Sequence, residues 1–231
     1  SAQKIDFILA NDIFSLPLAY KLAQKIGAKL VFDAHEYSPR EYENYFIWRL
    51  INQPMVVYFC KKYLALTDAM VTVCDGIAEE YQKVFAIEKP QVITNAPDYE
   101  SMIQPSPTDA NHVRIIHHGG AARDRRIEDM IDIALQLDER FSLDLMLVAS
   151  DNTYLNELKA KAAHSSKIRF LEPVPFGEII SVLKNYDIGL YLLAPTNFNN
   201  QMALPNKLFE FIQARLAVII GPSPEMARIL E

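Results

Sequence analysis

Ala203-Leu-Pro-Asn-Lys-Leu-Phe-Glu-Phe-Ile-Gln-Ala-Arg-Leu-Ala-Val-Ile-Ile-Gly-Pro222 decides how this chain is read. Its spacing predicts a short helix followed by a strand. Pro205 suits the first helical position, where its fixed φ helps and its missing N–H is not needed. Leu208, Phe209 and Ile212 supply an apolar helical face. Ala217 to Ile220 is a β-branched apolar run closed by Gly221-Pro222, the pattern of a central strand in a parallel sheet. Asn206, Lys207 and Glu210 lie three and four apart, on one side of the helix. A cation and a carboxylate beside a helix N-terminus suit a phosphate and a sugar hydroxyl. The plainer alternative is a solvated helix face carrying an i,i+3 ion pair.

Composition narrows the field. The chain has 231 residues, half of them hydrophobic and 23% charged, with a net charge of −6. Such a balance is globular and argues against a broad nucleic-acid surface, which would be basic. Two cysteines, Cys60 and Cys74, have no metal-ligand spacing and fit free thiols in a reducing compartment. No apolar run approaches the ~20 residues of a membrane span.

Outward from the opening stretch, strands alternate with helices. Ile5 to Ala10 reads as a buried strand. Pro17 to Ile26 is a helix with Leu18, Leu22 and Ile26 on one face, closed by Gly27. Lys29 to Asp33 is the next strand. Arg40 to Leu66 is mostly helical and is expected to break around Asn52-Gln53-Pro54. Its Tyr42, Tyr45, Phe46, Trp48, Tyr58 and Phe59 are interleaved with basic residues. They suit either a core-packing helix pair or an amphipathic surface for a lipid-linked acceptor or membrane. Strands over 69–74 and 90–95 follow. The polar, proline-bearing segment 105–111 is the expected linker. A second series of strands and helices then runs from His112. The expectation is an α/β protein with two Rossmann-like parallel-sheet domains, 1–104 and 112–231. Both chain ends look cut.

Two loops carry candidate chemistry. His118-Gly119-Gly120 ends a strand, and Arg123, Arg125 and Arg126 follow before a helix. Glycines let the backbone approach a phosphate and arginines neutralise it. Asp33-Ala-His35-Glu36 lies at a strand's C-terminal end, the ligand edge of open α/β sheets. No second cluster gives metal-ligand spacing, so no metal is expected.

In order and spacing, these pieces together resemble the retaining glycosyltransferases of family 4, of the GT-B fold. The likeness is carried by Asp33-Ala-His-Glu36, Thr67-Asp-Ala-Met-Val-Thr-Val-Cys74 and Gln91-Val-Ile-Thr-Asn-Ala-Pro-Asp98. His117-His-Gly-Gly120 with Arg125, and Leu204-Pro-Asn-Lys-Leu-Phe-Glu-Phe211, complete it. The resemblance implies a GT-B molecule whose two domains face a cleft, incomplete at both ends here. Its N-terminal domain would serve the acceptor and its C-terminal domain the nucleotide-sugar donor. His35 would contact the transferred sugar, and Gly119 and Gly120 the diphosphate. Arg125 and Lys207 would be its cations and Glu210 the ribose acceptor. Arg126, Leu204, Pro205 and Asn206 would line the donor site, and Val174, within Pro173-Val-Pro175, would lie against the base. The implied reaction moves a sugar from a nucleoside-diphosphate sugar to a glycan or glycolipid acceptor with retention, without metal or other cofactor. The implied setting is polysaccharide biosynthesis in the cytoplasm, with peripheral contact at the inner membrane face as a further expectation and no nucleic-acid partner. A degenerate scaffold or partner subunit and a nucleotide-sugar epimerase are the alternatives. The family's usual second glutamate, on the N-terminal side of Glu210, falls on Met202. Arg126, Arg215 and Ala217 stand where the family often has Gly, Gly and Pro.

Overall fold

The computed structural model describes residues 4–149 and 152–231; residues 1–3, which open the end expected to be cut, and 150 and 151 lie outside this description. There are two compact units, Ser1–Asn95 with Pro195–Leu204, and Ala96–Ala194 with Pro205–Glu231. The expected linker segment lies within the second unit, where Ser106 Oγ donates to the Lys184 carbonyl at 3.2 Å.

The first unit carries β1 (Phe7–Asn11), α1 (Leu16–Ile26), β2 (Lys29–Ala34), α2 (Phe46–Tyr63), β3 (Ala69–Thr72), α3 (Asp75–Phe85) and β4 (Gln91–Val92). Its strands form one parallel sheet in the order β1-β2-β3-β4. Several sequence expectations change here. Among the described residues β1 pairs with β2, and Phe7 and Leu9 are 68% and 57% exposed. α1 ends as expected at Gly27, whose N–H caps Ala23 at φ 73°. It buries Leu16, Ala19 and Ala23, however, while Leu18, Leu22 and Ile26 face solvent. α2 runs unbroken through Pro54. It buries Val56, Cys60 and Tyr63 and leaves Phe46, Ile47, Leu50, Ile51 and Tyr58 exposed.

The second unit carries β5 (Val113–Gly120), α4 (Ile127–Gln136), β6 (Phe141–Val148), α5 (Asn152–Ala162), β7 (Ile168–Leu171), α6 (Ile179–Leu183) and β8 (Ile188–Tyr191). After α7 (Phe198–Gln201), in the segment that packs with the first unit, it continues with α8 (Asn206–Gln213), β9 (Ala217–Ile220) and α9 (Pro224–Leu230). All five strands are parallel, in the order β7-β6-β5-β8-β9. The chain therefore builds outward from β5 on one side, then returns to build on the other. That reversal is the topological switch point of a doubly wound sheet, where ligands bind at the strands' C-terminal ends. One side of the sheet is filled by Ile127, Met130 and Ile131 of α4, Tyr154 and Leu158 of α5, and Leu143, Leu145 and Leu147 of β6. Asp187, just before β8, accepts from the Arg114 N–H at 2.8 Å and from its Nε at 3.1 Å, tying the starts of β5 and β8 together. β9 corrects the reading of a central strand, since it closes one edge of the sheet and Ile219 is 45% exposed. A β-branched apolar run looks the same whether it pairs on one side or two.

α8 is seated by one close approach. A Cβ on Gly189 of β8 would lie 2.3 Å from the ring of Phe211, which is fully buried. Only a glycine lets the ring lie on the strand. Gly189→Ala is therefore expected to destabilise the protein by about 1–3 kcal/mol, as overpacking does, read as a lower urea midpoint at unchanged m-value.

Candidate functional site

The C-terminal end of β5 gathers charge. Gly119 sits at φ 124°, which favours glycine, and it is wedged against two cations. A Cβ there would meet Lys207 Nζ at 2.8 Å and Arg125 Nη1 at 3.5 Å; one on Gly120 would meet the same Nη1 at 3.8 Å. Arg125 closes a short 3-10 turn, Arg123–Arg125, leading into α4. Lys207 enters from the first turn of α8, of which Pro205 is the N-cap and the exposed Asn206 the first residue. The proline thus falls one position earlier than expected, still where a missing N–H costs nothing.

Lys207 is not a solvated surface residue. It is 6% exposed, and its Nζ has no hydrogen-bond partner among the described residues. The ammonium instead lies 4.2 Å above the centre of the Tyr191 ring. Burial, seconded by the Arg125 charge and opposed by Glu210, pushes it down to about 7. Glu210 is buried as well, and its Oε2 lies 3.1 Å from Nε2 of His118. His117, one residue earlier on β5, points its Nδ1 at the Leu190 carbonyl, 2.8 Å away. A carbonyl only accepts, so Nδ1 carries the proton. Burial, followed by the charge of Lys207, holds this imidazole well below its ordinary range and neutral. Its ring stacks on Tyr191 at 5.9 Å.

The arrangement is a cationic cradle. Two cations converge on a glycine backbone at the switch point of the sheet, and one of them is buried without a hydrogen-bond partner among the described residues. An unpartnered buried amine costs free energy, and an anionic ligand would remove that cost. The solvated-face reading of α8 does not survive, because Lys207 and Glu210 are both inside.

The sequence candidates divide as follows. Gly119, Gly120, Arg125, Lys207 and Glu210 are brought together in the second unit. Arg126 is turned away: its guanidinium pairs with Asp129 at 2.9 Å. Val174 is half-buried in the segment after β7. His35 and Leu204 belong to the first unit. There His35 is half-exposed beyond β2, with Nε2 3.0 Å from Asp33 Oδ2. Met202 is also in that unit, and its carbonyl accepts from the Cys74 thiol at 3.2 Å. Arg126 and Arg215 stand at φ 49° and 65°. Both residues thus hold left-handed backbone without being glycine. The sequence marks His117 and His118 only as the lead-in to the glycine pair, with no role of their own, and does not mark Tyr191. The signal available was two histidines in an otherwise apolar strand, immediately before a glycine pair.

An open pocket of about 520 Å³ lies elsewhere, around Thr67, Met70, Ile87 and Gln91. It adjoins the starts of β3 and β4, the edge opposite to the one where such sheets bind ligands.

The fold is that of the GT-B glycosyltransferases. Among solved structures, Anabaena HepE in complex with UDP-glucose superposes with a TM-score of 0.75 at 17% identity, over 98% of this chain and 62% of that one. The pneumococcal O-GlcNAc transferase GtfA, in complex with UDP and GlcNAc, gives 0.65 at 16% identity, over 96% and 43%. Sucrose-phosphate synthase from Thermosynechococcus elongatus gives 0.69 at 12% identity, over 93% and 55%. The chain therefore spans only about two-fifths to three-fifths of these proteins' length. No protein-family model and no curated protein matches the sequence.

The orphaned amine has a measurable cost. The unfolded lysine titrates near 10.5 and the folded one at about 7, so between these values the unfolded chain binds more protons and stability rises with pH. Lys207→Met removes the amine and keeps the packing. It is expected to raise Tm at pH 7 by about 3–6 °C. The gap to the unsubstituted protein narrows as pH rises toward 10, as followed by differential scanning calorimetry across that range.

Proposed function

We propose that the protein is a retaining glycosyltransferase of family 4 that transfers a sugar from a nucleoside-diphosphate sugar to a glycan or lipid-linked acceptor. One observation carries the reading: the buried, unpartnered Lys207 ammonium beside Arg125, both against the positive-φ Gly119. In this reading the diphosphate lies on the Gly119-Gly120 backbone between the two cations. The N-terminus of α8 adds the favourable end of its dipole. Charge builds on the departing diphosphate as the glycosidic bond breaks, and fixed cations stabilise it without a metal. Glu210 accepts from the ribose, Pro173-Val174-Pro175 borders the base, Pro205 and Asn206 flank the phosphates, and His35 meets the sugar. Support comes from the GT-B fold and from the UDP or UDP-glucose held by the HepE structures. Cys60 and Cys74 are both buried and not joined in a disulfide among the described residues, which fits a cytoplasmic setting.

A second reading, a partner subunit with a degenerate donor site, rests on Met202, a thioether where the family often has a carboxylate. A thermal-shift screen against UDP-, GDP- and ADP-sugars separates the two: stabilisation by a donor supports the enzyme, and none supports the subunit. Arg125→Ala and Lys207→Ala are each expected to weaken donor binding about tenfold or more. If neither does, the cradle is not the donor site. Binding by the unsubstituted protein is expected to be strongest below pH 7 and to fall by up to about tenfold per unit above it, because the amine must be protonated to meet the diphosphate. Titration calorimetry with the best donor from pH 6 to 9 measures this.

The exposed face of α2 supports peripheral contact with a lipid surface. Phe46, Ile47, Leu50 and Ile51 are each more than 60% exposed, and Arg49, Lys61 and Lys62 lie on the same helix. Apolar side chains with basic neighbours suit an anionic bilayer. Ile47→Asp with Leu50→Asp is expected to abolish sedimentation with vesicles rich in anionic lipid while leaving donor binding intact. Undiminished sedimentation removes α2 from the membrane contact.

A further inference from the structure

Glu210 is a buried carboxylate, 3% exposed, inside a helix whose neighbouring residues pack on the sheet. A carboxylate in such a place needs a partner to set its orientation. The neighbour across the gap is His118, itself 5% exposed, with Nε2 3.1 Å from Oε2. The contact is within ion-pair range but out of line for a linear hydrogen bond. The imidazole is held on its other sides. Its backbone is paired into the centre of the sheet, with His118 opposite Met146 of β6. Its ring stands edge-on to Phe211, 5.4 Å between centres and 89° between planes. Phe211 is in turn pressed onto Gly189 of β8. Strand β5, strand β8 and helix α8 therefore all bear on the pose of one carboxylate.

We propose that His118 is a positioning residue that presets the Glu210 carboxylate for the ribose diol, and so fixes the preference of the site for ribonucleotides. The inference rests on the nucleotide reading of the cradle. A carboxylate accepts from two adjacent hydroxyls only when its plane matches theirs, and a group that fixes this plane in advance spares the cost of ordering it at binding. The two histidines of β5 thereby divide the work. Neutral His117 stacks on Tyr191 under the Lys207 amine, on the phosphate side. His118 serves the carboxylate one turn deeper in α8.

The test compares UDP with 2′,3′-dideoxy-UDP by titration calorimetry on the whole chain. The unsubstituted protein is expected to favour UDP by about tenfold or more, the worth of charge-assisted hydrogen bonds. In His118→Phe the ratio is expected to fall to within about twofold of unity while dideoxy-UDP binds as before. Glu210→Gln should collapse the ratio in the same way, and the double variant should lose nothing further, as expected for residues acting as one unit. His118→Gln, whose side-chain amide can still donate to the carboxylate, should restore most of the preference. This variant also covers the case in which His118→Phe fails to fold. An unchanged ratio in the His118 variants overturns the inference and leaves the nucleotide reading standing. Equal losses for both ligands also overturn it, by making His118 merely structural. If the unsubstituted protein binds neither UDP nor any other nucleoside diphosphate, the nucleotide reading falls and takes this inference with it.

Discussion

The reversal of strand order at β5 is the constraint on which the second unit depends. The chain pairs β6 on one side of β5 and, much later, β8 on the other. Two loops therefore diverge at the same end of the sheet and leave room between them. Everything of chemical interest in the unit gathers there: the glycine pair closing β5, the arginine turn after it, Tyr191 closing β8 and the first turn of α8. The site follows from topology before any side chain is considered. Side chains then give it sign, two cations facing a backbone that lacks Cβ atoms.

The cradle also shows how a protein keeps an unfavourable group in place. Lys207 would be more comfortable in water. It is confined because Phe211 and Leu208 on the same helix are buried against the sheet, and the helix cannot turn to release one side chain without exposing the others. The packing of α8 thus holds a charge where it is costly, and that cost is a reserve of binding free energy for an anion. Arg126 and Arg215 belong to the same account. Both hold left-handed backbone without glycine's freedom, so the bends before α4 and after α8 are kept by the surrounding fold and not by local preference.

Much of this was legible in the sequence. The alternation of strands and helices marked both sheets, and the order of a strand, two glycines and a cluster of arginines marked where a cation meets the glycine backbone. What failed was what periodicity does not encode. The stripe of Leu18, Leu22 and Ile26 marks a helix but does not say that Leu16, Ala19 and Ala23 are the buried residues. Apolar runs at Phe7 to Leu9 and at Val218 to Ile220 mark strands but not whether a neighbour lies on each side. Pro54 forbids one hydrogen bond but does not stop a helix held by residues on either side. The burial of Lys207 and Glu210 was hidden for a related reason, since polar spacing on a helix face looks the same in solvent and against a histidine. His118 became visible only when strand and helix were set side by side.

One feature of the first unit reaches further. Asn199, in the returning segment, accepts from the Tyr37 N–H with its side-chain oxygen at 2.8 Å and donates to the Tyr37 carbonyl with its amide. Phe198 packs on the Tyr37 ring and lies beneath the Arg40 guanidinium, and its N–H donates to Glu43. The first unit is therefore discontinuous in sequence. It borrows a short piece of chain synthesised long after its own last strand, and that piece satisfies backbone groups its own residues leave open. A ribosome releasing residues up to Asn95 has made four strands but not the segment that finishes them. The hydrogen bonds to Tyr37 and Glu43 therefore form only after β5 to β8 have been synthesised.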